Sequence, residues 1–293
     1  MAVTHGIGVS LPYEYLCGTN DSKAARLFSA ALGRADEGLK TLRGENVGCV
    51  ELSLFNETTP GNRITEAVRS VWNAGLRVSL HPFLPPTLDG EKLESRYPWL
   101  ESVLRGMPDF QDTNVLTVHS LASEQGDMIE YRNRTVQVLK SAVNGVTQGH
   151  LPIRFALELN RAKGKVDPCT SFMGVLDICR DIGDSVVGIC WDWGHAQANV
   201  LTNAACSTPP EEFLQKVIHN HVHDLGPGGS THWPLISGIV PIDRNLSALK
   251  SIRFLGCLVL ELNPTKFFHI RAVKEQVIAS IRRLREASLV LES

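Results

Sequence analysis

Short apolar segments alternate with longer amphipathic segments along the chain, and this alternation constrains the fold more than any other feature. The apolar segments are rich in Val, Ile, Leu and Phe, which is typical of strands buried on both faces. The predicted strands are His5–Ser10, Gly48–Leu54, Arg77–His81, Val115–His119, Ile153–Leu157, Val186–Asp192, Val217–His223 and Cys257–Glu261. The predicted helices are Asp21–Arg43, Ile64–Asn73, Leu93–Arg105, Ile129–Asn144, Ser171–Ile182, Pro210–Lys216, Leu246–Ile252 and Arg271–Leu289.

Eight strand-then-helix units in succession predict a parallel sheet, and their number favours closure into a (β/α)8 TIM barrel. An open, doubly wound sheet is the alternative, and it would favour a glycine-rich turn after the first strand. Here the first strand leads into Leu-Pro-Tyr-Glu-Tyr, and the chain has no GxGxxG motif. We therefore predict a single barrel domain over residues 1–293.

The composition is that of an ordinary globular protein, with 43% apolar residues, 20% charged residues and a net charge of −2. This charge balance argues against a disordered chain and against a dedicated nucleic-acid partner. No apolar run approaches the roughly 18 residues of a membrane span, and the first residues do not resemble a signal peptide. The seven cysteines form no CxxC pair. We therefore predict reduced cysteines and a cytoplasmic protein that does not bind membranes.

Residues of the metal-ligand and acid–base type stand at the ends of most predicted strands. Active sites of such barrels lie at the carboxyl ends of the strands. A single carboxylate there is more often a helix cap or an arginine partner, and a single histidine is more often a hydrogen-bonded core residue. Here many occur together, at or shortly after strand ends: His81, His119, Glu158, Asp192, His195, His219, His221, His223 and Glu261.

Three carboxylates at one barrel mouth predict a divalent cation. Glu158, Asp192 and Glu261 would repel one another unless a positive charge neutralised them. Together with one imidazole they suit Mn, Mg or Co, and Zn is also compatible. Strand seven offers His219, His221 and His223 on one face, too far apart along the strand for all three to reach one ion. One of them is expected to bind the metal, and the others to line the pocket or bond to neighbouring carbonyls.

These strand ends resemble the metal-binding motifs of the xylose-isomerase-like barrel superfamily. The resemblance lies in Ala-Leu-Glu158, Asp192-Trp-Gly-His195, the His221–Asp224 tetrapeptide and Val-Leu-Glu261. That superfamily includes sugar and sugar-phosphate isomerases and epimerases, inosose dehydratases and the apurinic endonuclease IV group. The resemblance implies that His221 is the ligand on strand seven, because it stands three residues before an acidic residue.

The resemblance implies, first, a metal-dependent isomerase or epimerase acting on a sugar, a sugar phosphate or a keto-inositol. Its metal ligands would be Glu158, Asp192, His221 and Glu261, and Glu158 and Glu261 would also transfer the proton. The remaining histidines would bind substrate or a second metal: His81, His119, His195, His223 and His232. A small-molecule sugar is then the expected partner, and a homo-oligomer is compatible with this assignment. Many ketose epimerases have a Glu and an Arg where this chain has Gly164 and Pro227.

The alternative within the superfamily is a zinc phosphodiesterase that acts on abasic DNA, like endonuclease IV. Eight of its nine metal-ligand positions have a counterpart here: His81, His119, Glu158, Asp192, His195, His221, His232 and Glu261. Ser230 stands where the ninth, an aspartate, is expected. A third interpretation, a barrel that only binds a partner, leaves the complete ligand set without a purpose.

Overall fold

The computed structural model describes residues 6–56, 58–83, 103–104, 114–270 and 272–290, and it shows the expected closed parallel barrel. The barrel strands are β1 (Gly6–Pro12), β2 (Val47–Ser53), β3 (Arg77–His81), β4 (Val115–Val118), β5 (Arg154–Glu158), β6 (Val187–Asp192), β7 (Val217–Val222) and β10 (Cys257–Leu260). Their order around the barrel is β1, β10, β7, β6, β5, β4, β3 and β2. Strand β1 pairs with both β10 and β2, so the sheet has no free edge.

Helices follow the strands and pack their apolar faces against the outside of the barrel. They are α1 (Tyr13–Leu16), α2 (Lys23–Leu32), α3 (Ala35–Gly44), α4 (Gly61–Asn73), α5 (Met128–Gln148), α6 (Phe172–Ile182), α7 (Trp193–Leu201), α8 (Glu211–Gln215), α9 (Ile242–Ser251) and α10 (Val273–Val290). Side chains cap several of them. Asp127 accepts hydrogen bonds at the start of α5, and Ser171 does so at the start of α6. No helix in the described ranges is long and apolar enough to cross a membrane.

The prediction of one helix over Asp21–Arg43 is wrong, because the segment forms two helices. Gly33 has a φ of 81° and ends α2, and Arg34 then adopts an extended conformation as the residue before α3. Glycine adopts a positive φ at little steric cost and can therefore end a helix at this point. The apolar residues keep their helical spacing on both sides of the break, so their pattern does not reveal it. The predicted helix Leu93–Arg105 lies outside the described residues, apart from Val103 and Leu104, which are helical and buried.

The barrel interior changes from apolar at its base to polar towards the mouth. Small side chains fill the base, where Cys49, Cys257 and Val259 form one cluster. Above them, Glu51 of β2 contacts His219 of β7, and because these strands are not neighbours the contact crosses the interior. The main apolar core lies outside this band, between the strands and the helices. All seven cysteines are free.

A short antiparallel hairpin follows β7 and returns the chain over the barrel mouth. Its strands are β8 (Asp224–Gly226) and β9 (Ser230–Trp233), joined by a 3-10 turn in which Gly228 and Gly229 have positive φ. The Asp224 carboxylate accepts backbone hydrogen bonds from residue 225 and from residues 237–240. Asp224 therefore anchors the loop after the hairpin, and the hairpin carries His232 to the mouth.

Candidate active site

Four side chains from four strand ends converge at the carboxyl end of the barrel. Each of Glu158, Asp192, His221 and Glu261 offers one atom, and all four atoms lie within 4.8 Å of one another. Glu158, Asp192 and His221 are fully buried, and Glu261 keeps 18% of its side chain exposed. Parallel strands bring their carboxyl ends to one rim, which is why residues far apart in sequence meet here.

The unpaired polar atoms of this group fit a divalent cation. Both carboxylate oxygens of Glu158, Oε2 of Glu261 and Nδ1 of His221 are buried without a well-formed hydrogen bond, and their nearest polar neighbours are ion-pair contacts within this cluster. A buried polar atom without a partner is costly, and three carboxylates that face an imidazole nitrogen form a donor set suited to Mn, Mg, Co or Zn. The four residues therefore fit the metal that the sequence predicts.

The charges at this site are balanced by histidines. Burial raises the pKa of Glu158, but His119, His195 and His221 outweigh it and hold the pKa well below its usual range. Burial also raises the pKa of Glu261, but His232 and His221 outweigh this effect and lower the pKa below its usual value. Burial lowers the pKa of His221, whereas Glu51 and Glu261 raise it well above the usual value. A bound cation would take the place of protons that these imidazoles carry.

A second donor group adjoins the first and shares Glu158 with it. Nε2 of His119 lies 2.9 Å from Oε2 of Glu158, and Nε2 of His81 lies 3.3 Å from the same oxygen. The two imidazole nitrogens are themselves 3.3 Å apart. Strands β3 and β4 therefore place both predicted histidines against the carboxylate of β5.

A third donor group surrounds Asp192 and comprises His195, His223 and His232. Nδ1 of His195 lies 3.2 Å from the carbonyl oxygen of Leu159, while its Nε2 is buried without a hydrogen-bond partner. Asp192 also accepts a hydrogen bond from the backbone N–H of His195 at 2.6 Å and so caps α7. Burial lowers the pKa of His232 to about 4, so this imidazole is neutral at ordinary pH.

A cavity of about 310 Å³ opens above these groups. Apolar side chains that include Phe28, Leu54 and Phe83 form part of its wall. The predicted site residues that line it are His81, His119, Glu158, His195, His232 and Glu261. Asp192, His221 and His223 lie beneath it, and His223 is fully buried against Asp192 rather than facing the space that a substrate would fill.

The sequence interpretation missed Glu51, which lies within β2 and is fully buried. Oε2 of Glu51 accepts hydrogen bonds from Nε2 of His219 at 2.9 Å and from Nε2 of His221 at 3.2 Å. His219 thus bonds to a carboxylate and not to a backbone carbonyl. A lone carboxylate inside the apolar run Cys-Val-Glu-Leu was the available signal, because a buried charge needs a partner.

Comparison with known proteins identifies the family. Residues 45–287 match the family described as xylose isomerase-like TIM barrel. The chain belongs to this family. The match covers β2 to β10, and therefore every donor group described above. No curated protein sequence gives a significant match.

Solved structures share the fold over nearly the whole chain. A D-tagatose 3-epimerase-like protein is 18% identical, with a TM-score of 0.61 and 98% of each chain covered. The D-psicose 3-epimerase of Clostridium cellulolyticum H10, solved with D-tagatose, is 11% identical, with a TM-score of 0.60 and 97% of each chain covered. A xylose isomerase-like protein of Mycobacterium smegmatis in complex with magnesium is 14% identical, with a TM-score of 0.61, and 99% of this chain and 97% of that chain are covered.

Proposed function

We propose that the protein is a divalent-metal-dependent sugar isomerase or epimerase. The observation that carries the proposal is the double position of Glu158 and Glu261. Both belong to the four-donor group, and both also line the cavity. The other two members, Asp192 and His221, lie beneath the cavity and have no direct access to it. Only two of the four donors are therefore placed both to hold an ion and to reach a substrate.

The family match supports this reaction class, since epimerases are among the solved structures with the same barrel. The cavity volume supports a small substrate, because pockets for small molecules start at about 300 Å³. The imidazoles of His81, His119, His195 and His232 offer polar contacts around a sugar. The free cysteines fit the reducing cytoplasm that we propose as the location.

The residues divide the chemistry as follows. A divalent ion, when bound, supplies a Lewis acid that makes the C–H next to a carbonyl more acidic. One of Glu158 and Glu261 removes that proton, and the other returns a proton to an adjacent carbon or to the opposite face. Asp192 and His221 would hold the ion from beneath the cavity. The low pKa of both glutamates keeps them ionised and able to accept a proton at neutral pH.

Solvent exchange tests the proposal. The metal-free protein and the protein loaded with Mn, Mg, Co or Zn are each incubated in D₂O with a panel of ketoses, sugar phosphates and keto-inositols. We expect the C–H beside the carbonyl of at least one compound to exchange, with a new isomer formed, only in the metal-loaded protein. Absence of exchange from the whole panel with every metal would overturn the proposal.

A zinc phosphodiesterase is the second candidate, and the three additional donor groups favour it, one of them formed by Glu51, His81 and His221. Glu158 is shared with His81 and His119, and Asp192 is shared with the third group, so donors for several adjacent ions are present. Elemental analysis separates the candidates. One Mn, Mg or Co per chain supports the isomerase, whereas two or three tightly bound Zn, with cleavage of an abasic oligonucleotide, would support the phosphodiesterase.

A further inference from the structure

Glu51 contacts three histidines from two different parts of the barrel wall. Its Oε2 accepts hydrogen bonds from His219 and His221 of β7, and its Oε1 lies 3.5 Å from Nδ1 of His81 on β3. Glu51 is fully buried, and Thr117 is a further polar contact at 3.5 Å. No Lys or Arg is among these neighbours, so the N–H groups of imidazoles supply the hydrogen bonds that the carboxylate needs.

The hydrogen bond to Glu51 determines which ring nitrogen of His221 carries a proton. A carboxylate only accepts hydrogen bonds, so the nitrogen that bonds to it carries a proton. In His221 this nitrogen is Nε2, which lies 3.1 Å from Oε1 and 3.2 Å from Oε2 of Glu51, whereas Nδ1 makes no hydrogen bond. Nδ1 of His221 then keeps a lone pair, and it points at Oε2 of Glu261, 3.5 Å away. The His221 ring therefore presents a ligating nitrogen to the four-donor group. Nδ1 of His81 lies 3.5 Å from Oε1 of Glu51 without a hydrogen bond, so the tautomer of His81 is not set by this contact.

We propose that Glu51 is a positioning residue that fixes His221 in the tautomer required for metal binding, without being a ligand itself. This inference rests on the proposed metal centre. If Glu51 were a ligand, an ion between Glu51 and His221 would require Nε2 of His221 to lose its proton, and the proton would move to Nδ1. That ring would then turn an N–H towards Glu158, Asp192 and Glu261. Carboxylates that orient ligand histidines through the second ring nitrogen are common in metal sites.

Glu51→Gln tests this role. The amide has nearly the same volume, but one of its two acceptor oxygens becomes an NH₂ donor, so one facing imidazole has to reverse its tautomer. We expect the affinity for Mn and Co to fall roughly 10–100-fold, as is typical for loss of such a partner. The affinity is measured by competition with a chelator, and the visible spectrum of the Co-loaded protein should change. His219→Gln is the matched control, because His219 contacts Glu51 but belongs to none of the donor groups.

The ring tautomers are measured independently by ¹⁵N NMR of the metal-free wild type under conditions where the rings are neutral. We expect the proton of His221 on Nε2, and a proton on Nδ1 would overturn the inference even if Glu51→Gln does not fold. Lower stability of a folded Glu51→Gln with unchanged metal affinity would also overturn it. If the wild type binds no metal, the proposed function fails, while the NMR result still decides the tautomer.

A group of three cations lies beside the cavity, and this observation is independent of Glu51. Lys163 is the member that lines the cavity. Nζ of Lys266 donates to the carbonyl oxygen of Thr231 at 2.8 Å and lies 3.4 Å from Nδ1 of His232. The guanidinium of Arg161 approaches the hairpin turn, since a Cβ on Gly229 would lie 3.8 Å from its Nη2. None of the three cations forms an ion pair with a carboxylate of the described residues.

The loop that carries Arg161 and Lys163 is held in place by a buried side chain. Asn199 accepts a hydrogen bond from the backbone N–H of Ala162 and donates to the carbonyl oxygen of Asn160, each at 2.8 Å. Burial lowers the pKa of Lys266, and the positive charges of Lys163 and Arg161 lower it further. Like charges that interact in this way repel one another, and an anion among them would relieve the repulsion.

We infer that Arg161, Lys163 and Lys266 form a subsite for the anionic end of the substrate, a phosphate or a carboxylate. This deepens the proposed function, because it favours sugar phosphates or sugar acids over neutral sugars. His232 lies between Lys266 and Glu261, so the subsite is one imidazole ring away from a proton-transfer residue. A single molecule of sugar size could therefore place its anionic group in the subsite and its carbonyl group at the donor groups.

Calorimetric titration with D-fructose, D-fructose 6-phosphate and D-fructuronate tests the subsite. We expect at least one anionic sugar to bind the metal-loaded wild type roughly tenfold more tightly than D-fructose, and the stronger of the two identifies the anion. Lys163→Met and Lys266→Met should each abolish most of this preference. Lys165→Met is the matched control, because Lys165 is exposed on the same loop and does not line the cavity.

Equal binding of D-fructose and both anions by the wild type would overturn the subsite. A preference that survives in both lysine variants would also overturn it, because the anion would then bind the metal rather than the lysines. Binding is measured separately from turnover, so failure of deuterium exchange with every sugar contradicts the proposed function and leaves the calorimetric result to decide the subsite.

Discussion

Nε2 of His223 lies 3.1 Å from Oδ1 of Asp192. On the opposite side of the ring, Nδ1 accepts a hydrogen bond from the backbone N–H of His232 at 2.9 Å. An accepting nitrogen carries no proton, so the neutral ring holds its proton on Nε2 and donates it to Asp192. His223 therefore orients the carboxylate of Asp192, a proposed metal ligand, and also connects that carboxylate to the hairpin.

Gly194→Ala should displace His223 and destabilise the protein. The ring of His223 packs so closely over Gly194 that an added Cβ would overlap it. We expect the free energy of unfolding of the metal-free protein to fall by about 1–3 kcal/mol, as is usual when a packed interior is overfilled. Urea denaturation measures the change.

Gly44→Ala is the control for this substitution. Gly44 is the last residue of α3, and a Cβ there would meet no heavy atom within 4 Å. Alanine should be neutral or stabilising by up to about 1 kcal/mol, because it is the better helix former. Similar losses in both variants would contradict the packing of His223 over Gly194.

Asp224→Asn should loosen the loop after the hairpin. The carboxylate accepts five backbone hydrogen bonds, four of them from residues 237–240, and an amide replaces one acceptor oxygen by a donor. We expect a loss of about 1–3 kcal/mol in unfolding free energy and faster hydrogen exchange at residues 237–240. Asp127→Asn is the control. Asparagine caps the start of α5 as well as aspartate does, so neither quantity should change measurably. Unchanged exchange at residues 237–240 would contradict the anchoring role.

Metal binding should release protons, and metal affinity should rise with pH. Burial lowers the pKa of His221, His81 and His195, but the surrounding carboxylates outweigh it and raise each pKa above the usual value. A raised pKa makes protons compete more strongly with a metal ion for these rings, because ligation requires their lone pairs. Titration of Mn into weakly buffered protein with a pH indicator measures the release. A pH-independent affinity around neutrality would contradict the charge balance of the site.

The barrel and most of its mouth could be predicted from the sequence, because strand-end residues such as Glu158 and Asp192 stand out against apolar strands. Glu51 could not be assigned in the same way, since it lies inside a strand and its partners come from strands far away in sequence. The hairpin β8–β9 was also missed, because its short polar strands carry no apolar alternation.

The role of Glu158 and Glu261 as the proton-transfer pair is the central claim. Glu158→Gln and Glu261→Gln keep the side-chain volume and an oxygen donor but lose the basic carboxylate. The direct measurement is deuterium incorporation from D₂O beside the carbonyl of a confirmed substrate, with metal content verified in each sample. We predict that each variant binds metal and exchanges about 10²–10⁴-fold more slowly than the wild type. Exchange near the wild-type rate in both metal-loaded variants would contradict the claim.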